Sequence, residues 1–98
     1  MESREFRNAL ARYPTGVTVV TARDTDGRLV GLTANSVMPI TTNPARLAWS
    51  LGVQSRNRAV FEQAVYFAVN VLEETQVDIA RQLASPMLDR FEGLSYIE

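Results

Sequence analysis

The chain has 98 residues, of which 46% are hydrophobic, enough for one domain but not for a second core. Ten basic and eleven acidic residues nearly cancel, which excludes a general electrostatic attraction to nucleic acid or to an anionic membrane. Cys, His and Lys do not occur in the sequence. A disulfide framework, a zinc site, an imidazole base and a lysine Schiff base are therefore excluded, which leaves carboxylates, hydroxyls or a bound cofactor to carry chemistry.

Membrane and export signals are also missing from the sequence. No apolar run approaches the roughly 20 residues that span a bilayer. The start, Met1-Glu-Ser-Arg4, lacks the apolar stretch of a secretory signal. We therefore expect a cytoplasmic protein that has neither a membrane nor a nucleic acid as its partner.

Apolar and turn-forming residues predict five strands and three short helices. Val and Thr dominate residues 16–23, which is typical of a strand buried on both faces. Asp24-Thr-Asp-Gly27 then predicts a hairpin turn whose glycine takes a positive φ. The other predicted strands are 29–33, 35–41, 46–52 and 65–72, and the last is expected inside the sheet because it is almost continuously apolar. The predicted helices are 4–12, 56–64 and a segment that begins at Thr75.

The order of these elements indicates a fold class. Strands follow one another from residue 16 to residue 52 with no room for helical crossovers, which favours antiparallel pairing. We expect a mainly β fold, a small antiparallel barrel with peripheral helices. Pro39 removes a ladder donor, so its strand is expected at an edge or at a bulge. No GxGxxG motif is present, so a Rossmann fold has no local support.

The first candidate site is the stretch Gly31-Leu-Thr-Ala-Asn-Ser36. Thr33, Asn35 and Ser36 offer side-chain hydrogen bonds, while Gly31 and Ala34 leave space for a planar ring to approach the backbone. A flavin has such a ring with a polar edge. The alternative interpretation is an ordinary strand end followed by a turn, where Asn and Ser are common.

The second candidate site runs from Ser50 to Arg58, from a strand end into a helix start. The Ser55 hydroxyl, the guanidinium of Arg56 or Arg58 and the N–H groups of the helix start are groups that bind a phosphate. The alternative interpretation is an ordinary serine cap with solvated arginines.

Together these segments resemble the short-chain flavin reductase family that serves two-component monooxygenases. The matching pieces occur in the family's order: Phe6-Arg-Asn-Ala-Leu10, Arg12-Tyr-Pro-Thr-Gly-Val-Thr-Val-Val-Thr-Ala22, Gly31-Leu-Thr-Ala-Asn-Ser36, Ser55-Arg56, Phe67-Ala-Val-Asn-Val-Leu72 and Asp89-Arg-Phe-Glu-Gly93. The resemblance implies a split β-barrel of the FMN-binding type that acts as a homodimer.

The resemblance also implies a function and a site. It implies FMN or FAD as the flavin, with NADH or NADPH as the hydride donor and a separate oxygenase component as the recipient of reduced flavin. It implies no obligatory protein acid or base, and the acidic pairs of the sequence have no metal-ligand pattern, so we expect no metal. The implied flavin contacts are Thr33, Ala34, Asn35, Ser36 and Val37 along the ring and ribityl chain, and Ser50, Leu51, Ser55 and Arg56 towards the phosphate.

Family members continue for several strands past the position that matches Glu98. We therefore expect residues 1–98 to form the N-terminal part of a longer flavin-reductase-like domain, incomplete at its C-terminal end, or to use a second chain to complete the barrel. An unfinished sheet would otherwise expose its edge N–H and C=O groups. Two further functions stay open: a flavin-binding module without turnover, and a structural or assembly domain.

Overall fold

A computed structural model describes residues 2–10, 16–86 and 90–95. Its strands are β1 (Thr18–Arg23), β2 (Leu29–Ala34), β3 (Met38–Thr42), β4 (Ala45–Ala48) and β5 (Ala68–Val71). Its helices are α1 (Ser3–Leu10), α2 (Arg58–Gln63) and α3 (Val77–Leu83), and a 3₁₀ turn (Glu74–Gln76) leads into α3. Within these residues, no helix has the length and apolar character needed to cross a membrane.

Strand β1 is the centre of the larger sheet. It pairs antiparallel with β2 along one edge and with β5 along the other, in the order β2-β1-β5. Thr18, Val19, Val20 and Ala22 of β1 are all buried, and Val20 has no exposed surface. Burial of a valine side chain stabilises the fold by about 1.5–3 kcal/mol. The strand predicted from the Val and Thr run is therefore confirmed, with both of its faces buried.

The turn between β1 and β2 is the predicted hairpin. Gly27 takes a φ of 82°, a conformation that residues with a Cβ rarely adopt. The Asp24 carboxylate accepts hydrogen bonds from the N–H groups of Asp26 and Arg28, each 2.9 Å long. The aspartate thus holds the turn through the backbone groups on its far side.

Strands β3 and β4 form a separate two-stranded ribbon. Its register shifts between Pro39 and Thr41, which confirms the edge or bulge expected at the proline. The strand predicted over 46–52 is wrong at its C-terminal end, because β4 stops at Ala48 and the Ser50 N–H donates to the Ser36 hydroxyl instead of to a strand. Over the described residues the two sheets do not close into a barrel, and the architecture is mainly β with a few short helices.

The prediction of an interior strand over 65–72 is wrong. Strand β5 covers only Ala68–Val71 and pairs with β1 alone among the described strands. Val65, Tyr66 and Val71 are 84%, 85% and 75% exposed. A continuous apolar run is typical of interior strands, but the position of a strand in a sheet depends on partners distant in sequence.

The helix boundaries differ from the predicted ones where side chains bind nearby backbone groups. Helix α2 begins two residues later than predicted, because Ser55 accepts the N–H groups of Asn57 and Arg58 in a turn before it. The third helix was predicted from Thr75, but a capping box between Glu73 and Gln76 begins the 3₁₀ turn. Helix α1 begins at Ser3, and the predicted end of that helix at residue 12 lies outside the described residues.

Helix α3 packs closely against β2. Leu83 of α3 is only 1% exposed and lies over Gly31, where the absence of a side chain lets the helix approach. Phe91 covers the same glycine. The Thr33 hydroxyl donates to the Ala80 carbonyl at 2.6 Å, which joins strand and helix a second time. The position of β2 is therefore held from the α3 side as well as from β1.

We expect Gly31→Ala to destabilise the protein. A Cβ at this position would lie 2.8 Å from Phe91 Cζ and 3.0 Å from Leu83 Cδ1. Overpacking of this kind lowers the free energy of unfolding by about 1–3 kcal/mol. Gly52→Ala is the control, because a Cβ there meets open space, and its change should stay within about 1 kcal/mol. Urea unfolding measures both variants, and equal stabilities would contradict the close packing at Gly31.

Candidate flavin site

The two candidate segments meet at the C-terminal ends of β2 and β4. The Ser50 N–H donates to the Ser36 hydroxyl oxygen at 2.9 Å. Asn35 and Ser36 directly follow β2, and Ser50 and Leu51 follow β4, so this bond joins the end of the larger sheet to the end of the ribbon. The structure thereby brings together site residues that are separated in the sequence by the whole ribbon.

Polar and apolar groups alternate at this junction. The Asn35 side chain is exposed, and its carboxamide makes no hydrogen bond to the part of the chain that the structure describes. The Ser36 oxygen accepts from Ser50, which leaves the hydroxyl hydrogen for a further acceptor. Val37 and Leu51 are half-buried beside them. The junction therefore offers an amide and a hydroxyl next to apolar surface, as a ring with a polar edge requires.

Thr33 and Ala34 are fixed by hydrogen bonds to α3 and to β1, respectively. The Thr33 hydroxyl already donates to Ala80, so only its oxygen lone pair and its backbone are left for a ligand. The carbonyl of Ala34 accepts a hydrogen bond from the buried hydroxyl of Thr18 at 2.8 Å. The Thr33 hydroxyl hydrogen is thus used within the chain, because helix α3 supplies an acceptor that the local sequence does not reveal.

Arg56, which follows Ser55 in the chain, lies beside the first three residues of β2, Leu29, Val30 and Gly31. Arg56 Nη1 donates to the Pro86 carbonyl at 3.1 Å. A small cavity of about 40 Å³ separates this region from the strand, lined by Leu29, Val30, Gly31, Arg56, Asn57, Arg90 and Phe91. From residue 31 to residue 35 a strand advances by about 13 Å. Of the residues expected towards the phosphate, Ser50 and Leu51 therefore lie near the C-terminal end of β2, whereas Arg56 lies near its middle.

The helix start before α2 differs from the sequence-based expectation. The N–H groups of Asn57 and Arg58 are hydrogen-bonded to Ser55, so they are not open to an anion. Arg58 forms an ion pair with Glu62 one turn along α2, at 2.7 Å, and both side chains are more than half exposed. Of the two arginines that were candidates for the phosphate, only Arg56 faces β2.

Arg90 is a residue that the sequence did not single out. Its Nε donates to the Ser85 carbonyl and its Nη1 to the Gly31 carbonyl, both at 2.9 Å. Burial lowers the pKa of the Arg90 guanidinium, and the positive charge of Arg56 lowers it further. Arg90 lies within one of the matching motifs, but no local spacing connects it with Arg56, so only the fold reveals that the two line one cavity.

Comparison with known proteins identifies the family. The model of the flavin reductase like domain matches residues 10–98. The chain belongs to this family. The resemblance inferred from the motifs is therefore confirmed, and the match includes β1, the end of β2, the Ser55-Arg56 turn and Arg90.

Individual relatives of this flavin reductase-like chain are similar over most of its length. It is 43% identical over 91 residues to the reductase component of the flavin-dependent trigonelline monooxygenase of Acinetobacter baylyi, covering 93% of this chain and 29% of that protein. It is 38% identical to a flavin reductase of Pseudomonas putida, covering 93% and 54%. The chain thus spans less than two thirds of the curated relatives that it matches.

A solved structure shares the fold. The NADH:FAD oxidoreductase of Streptomyces globisporus C-1027, in complex with NAD and FAD fragments, superposes with a TM-score of 0.89 at 29% identity. The match covers 98% of this chain and 57% of that one.

We expect Thr33→Val to affect stability more than ligand binding. The variant keeps the side-chain shape but removes the hydrogen bond to Ala80, which should lower the free energy of unfolding by about 1 kcal/mol. Thr25→Val in the exposed hairpin turn is the matched control. Chemical unfolding and an FMN titration measure the two effects. Unchanged stability together with weaker FMN binding would instead show that the hydroxyl faces the ligand.

Proposed function

We propose that this chain binds a flavin and takes part in NAD(P)H-dependent flavin reduction that supplies reduced flavin to a partner monooxygenase. The observation that carries the proposal is the Ser36–Ser50 junction, which gathers exposed amide and hydroxyl groups at one end of β2 in a member of the flavin reductase family. The names of the relatives support it: one is a monooxygenase reductase component, and another is an NADH:FAD oxidoreductase with NAD and FAD fragments bound.

The donor set fits a flavin mononucleotide or the equivalent half of FAD. We place the polar edge of the ring at Asn35 and Ser36, where an amide and a hydroxyl hydrogen are available. The backbone of Thr33 and Ala34, the apolar side chains of Val37 and Leu51, and Ser50 complete the ring and ribityl portion of the site. Ser55 and Arg56 take the phosphate side. The distance of about 13 Å along the strand separates the two ends, which suits an extended ligand.

The residues of this chain bind and orient, and we assign none of them as a catalytic acid or base. When bound, a flavin would supply the redox chemistry, with NADH or NADPH as the hydride donor. In this proposal Asn35 and Ser36 fix the plane of the ring, and Arg56 fixes the phosphate. These two groups lie beside the end and the middle of β2, and the hydrogen-bonded strand keeps their separation constant.

We further propose that residues 1–98 are the N-terminal part of one longer flavin-reductase-like domain, which folds as a split β-barrel and assembles as a cytoplasmic homodimer. The ribbon supports an interface between subunits, because its apolar side chains are exposed: Met38 by 54%, Ile40 by 55% and Leu47 by 44%.

The flavin site is tested by Asn35→Ala together with Ser36→Ala. Removal of two hydrogen-bonding side chains should weaken FMN binding by about ten-fold or more. Trp49 is the sole tryptophan and precedes Ser50, so quenching of its fluorescence reports flavin binding at this end of β2. The same double variant should slow NADH oxidation at limiting flavin concentrations.

The matched control is Ser3→Ala together with Asn8→Ala, which removes the same two types of side chain from exposed positions on α1. Unaltered FMN affinity in the Asn35 and Ser36 variant, with the fold intact, would show that the ring edge lies elsewhere. FMN binding without NADH oxidation by the parent protein would instead indicate a flavin-binding module without turnover.

A further inference from the structure

We propose that Trp49 is a positioning residue of the flavin site. It holds the backbone of Ser50 where the Ser50 N–H reaches the Ser36 hydroxyl, and it does so by packing against aromatic rings of α2 and of the segment before β5. This role rests on the proposed function, which places the polar edge of the flavin ring at Asn35 and Ser36. It requires no contact between Trp49 and the flavin.

Two edge-on ring pairs anchor the half-buried side chain of Trp49. Its ring centre lies 5.2 Å from that of Phe61, with 81° between the ring planes, and 5.9 Å from that of Phe67, with 65° between the planes. Such arrangements are favourable because the positive edge of one ring meets the negative face of the other. Phe61 belongs to α2 and Phe67 directly precedes β5, so one side chain contacts two separate elements.

The ribbon is attached to the rest of the fold at the end of β4. Among the described strands β4 pairs only with β3, so no ladder hydrogen bond joins the ribbon to the larger sheet. The hydrogen bond from Ser50 to Ser36 does join them, but Ser50 is exposed and water competes for its N–H. An aromatic pair contributes about as much as one hydrogen bond, and Trp49 makes two such pairs. The aromatic contacts are therefore the stronger attachment.

The position of Trp49 determines the state of the Ser36 hydroxyl. Trp49 and Ser50 are neighbours in the chain, so a shift of the Trp49 backbone moves the Ser50 N–H away from the Ser36 oxygen, which it now meets at 2.9 Å. Without that bond the Ser36 side chain is free to occupy other rotamers. A hydroxyl that must first be ordered binds a ligand more weakly, because binding then costs conformational entropy.

Trp49→Ala tests both the position of Ser50 and the affinity for flavin. We expect the Ser50 amide hydrogen to exchange about ten-fold faster, as measured by NMR, and FMN to bind about ten-fold more weakly, as measured by ultrafiltration and flavin absorbance. Trp49→Phe keeps an aromatic ring and should recover most of both losses. An equal loss of affinity in Trp49→Phe and Trp49→Ala would assign the effect to the indole N–H and overturn the positioning role.

Ser36→Ala shows whether Trp49 acts through the bond between Ser50 and Ser36. If it does, Trp49→Ala has little left to remove, and the double variant should bind FMN within about three-fold of the weaker single variant. Two independent losses of about ten-fold would instead multiply to about 100-fold. That result would leave Trp49 as a residue of general packing and contradict the proposal.

Two further variants separate the aromatic contacts from general effects. Tyr66→Ala removes a ring that is 85% exposed, so FMN affinity should stay within about two-fold of the parent. A loss as large as that of Trp49→Ala would overturn the proposal. Phe61→Leu keeps apolar volume but removes one edge-on pair, and it should weaken FMN binding and speed Ser50 exchange in the same direction as Trp49→Ala. This variant, alone and with Ser36→Ala, serves if Trp49→Ala does not fold.

The outcomes distinguish the role of Trp49 from the proposed function. If Ser36→Ala weakens FMN binding and Trp49→Ala does not, the proposed site stands and the positioning role is overturned. If the parent binds no flavin, or if Ser36→Ala leaves its affinity unchanged, the proposed site fails and the Ser50 exchange rate decides the role of Trp49 alone. Faster exchange in Trp49→Ala would then support Trp49 as the anchor of Ser50, and unchanged exchange would overturn it.

Discussion

The pairing of β1 along both of its edges is the constraint on which the rest of the structure depends. With β2 on one side and β5 on the other, β1 is the strand whose side chains are buried on both faces. The register places Thr18 opposite Ala34, and the Thr18 hydroxyl adds a buried hydrogen bond to that pair. The C-terminal end of β2, from which Asn35 and Ser36 emerge, is therefore fixed relative to the core.

Strand β2 sets the length of the candidate site. At one end the strand is joined to the ribbon by the Ser36–Ser50 hydrogen bond, and near its middle Gly31 accepts from Arg90 and lies under Leu83. A hydrogen-bonded strand holds groups at a defined separation more accurately than a loop does. This explains how short polar segments from distant parts of the chain can serve one elongated ligand without a deep cleft between two domains.

Sequence patterns predicted the local features well. The hairpin at residues 24–27 depends on an aspartate and a glycine within five positions, and the bulge depends on Pro39 itself. Features that depend on distant partners were missed. The run 65–72 has the composition of an interior strand but pairs on one side only, and the Thr33 hydroxyl is taken by Ala80, which lies 47 positions away in the chain.

The sequence by itself determined the chemistry that is available to this protein. With no Cys, His or Lys, it points to a cofactor for any redox step, and its ordered motifs identify the flavin reductase family before any coordinate is considered. Only the tertiary structure decided which groups meet, Ser36 with Ser50 and Arg56 with Arg90 across one cavity. The physical reason is that local propensity depends on neighbours in sequence, whereas these contacts are created by strand register and helix packing between segments far apart in the chain.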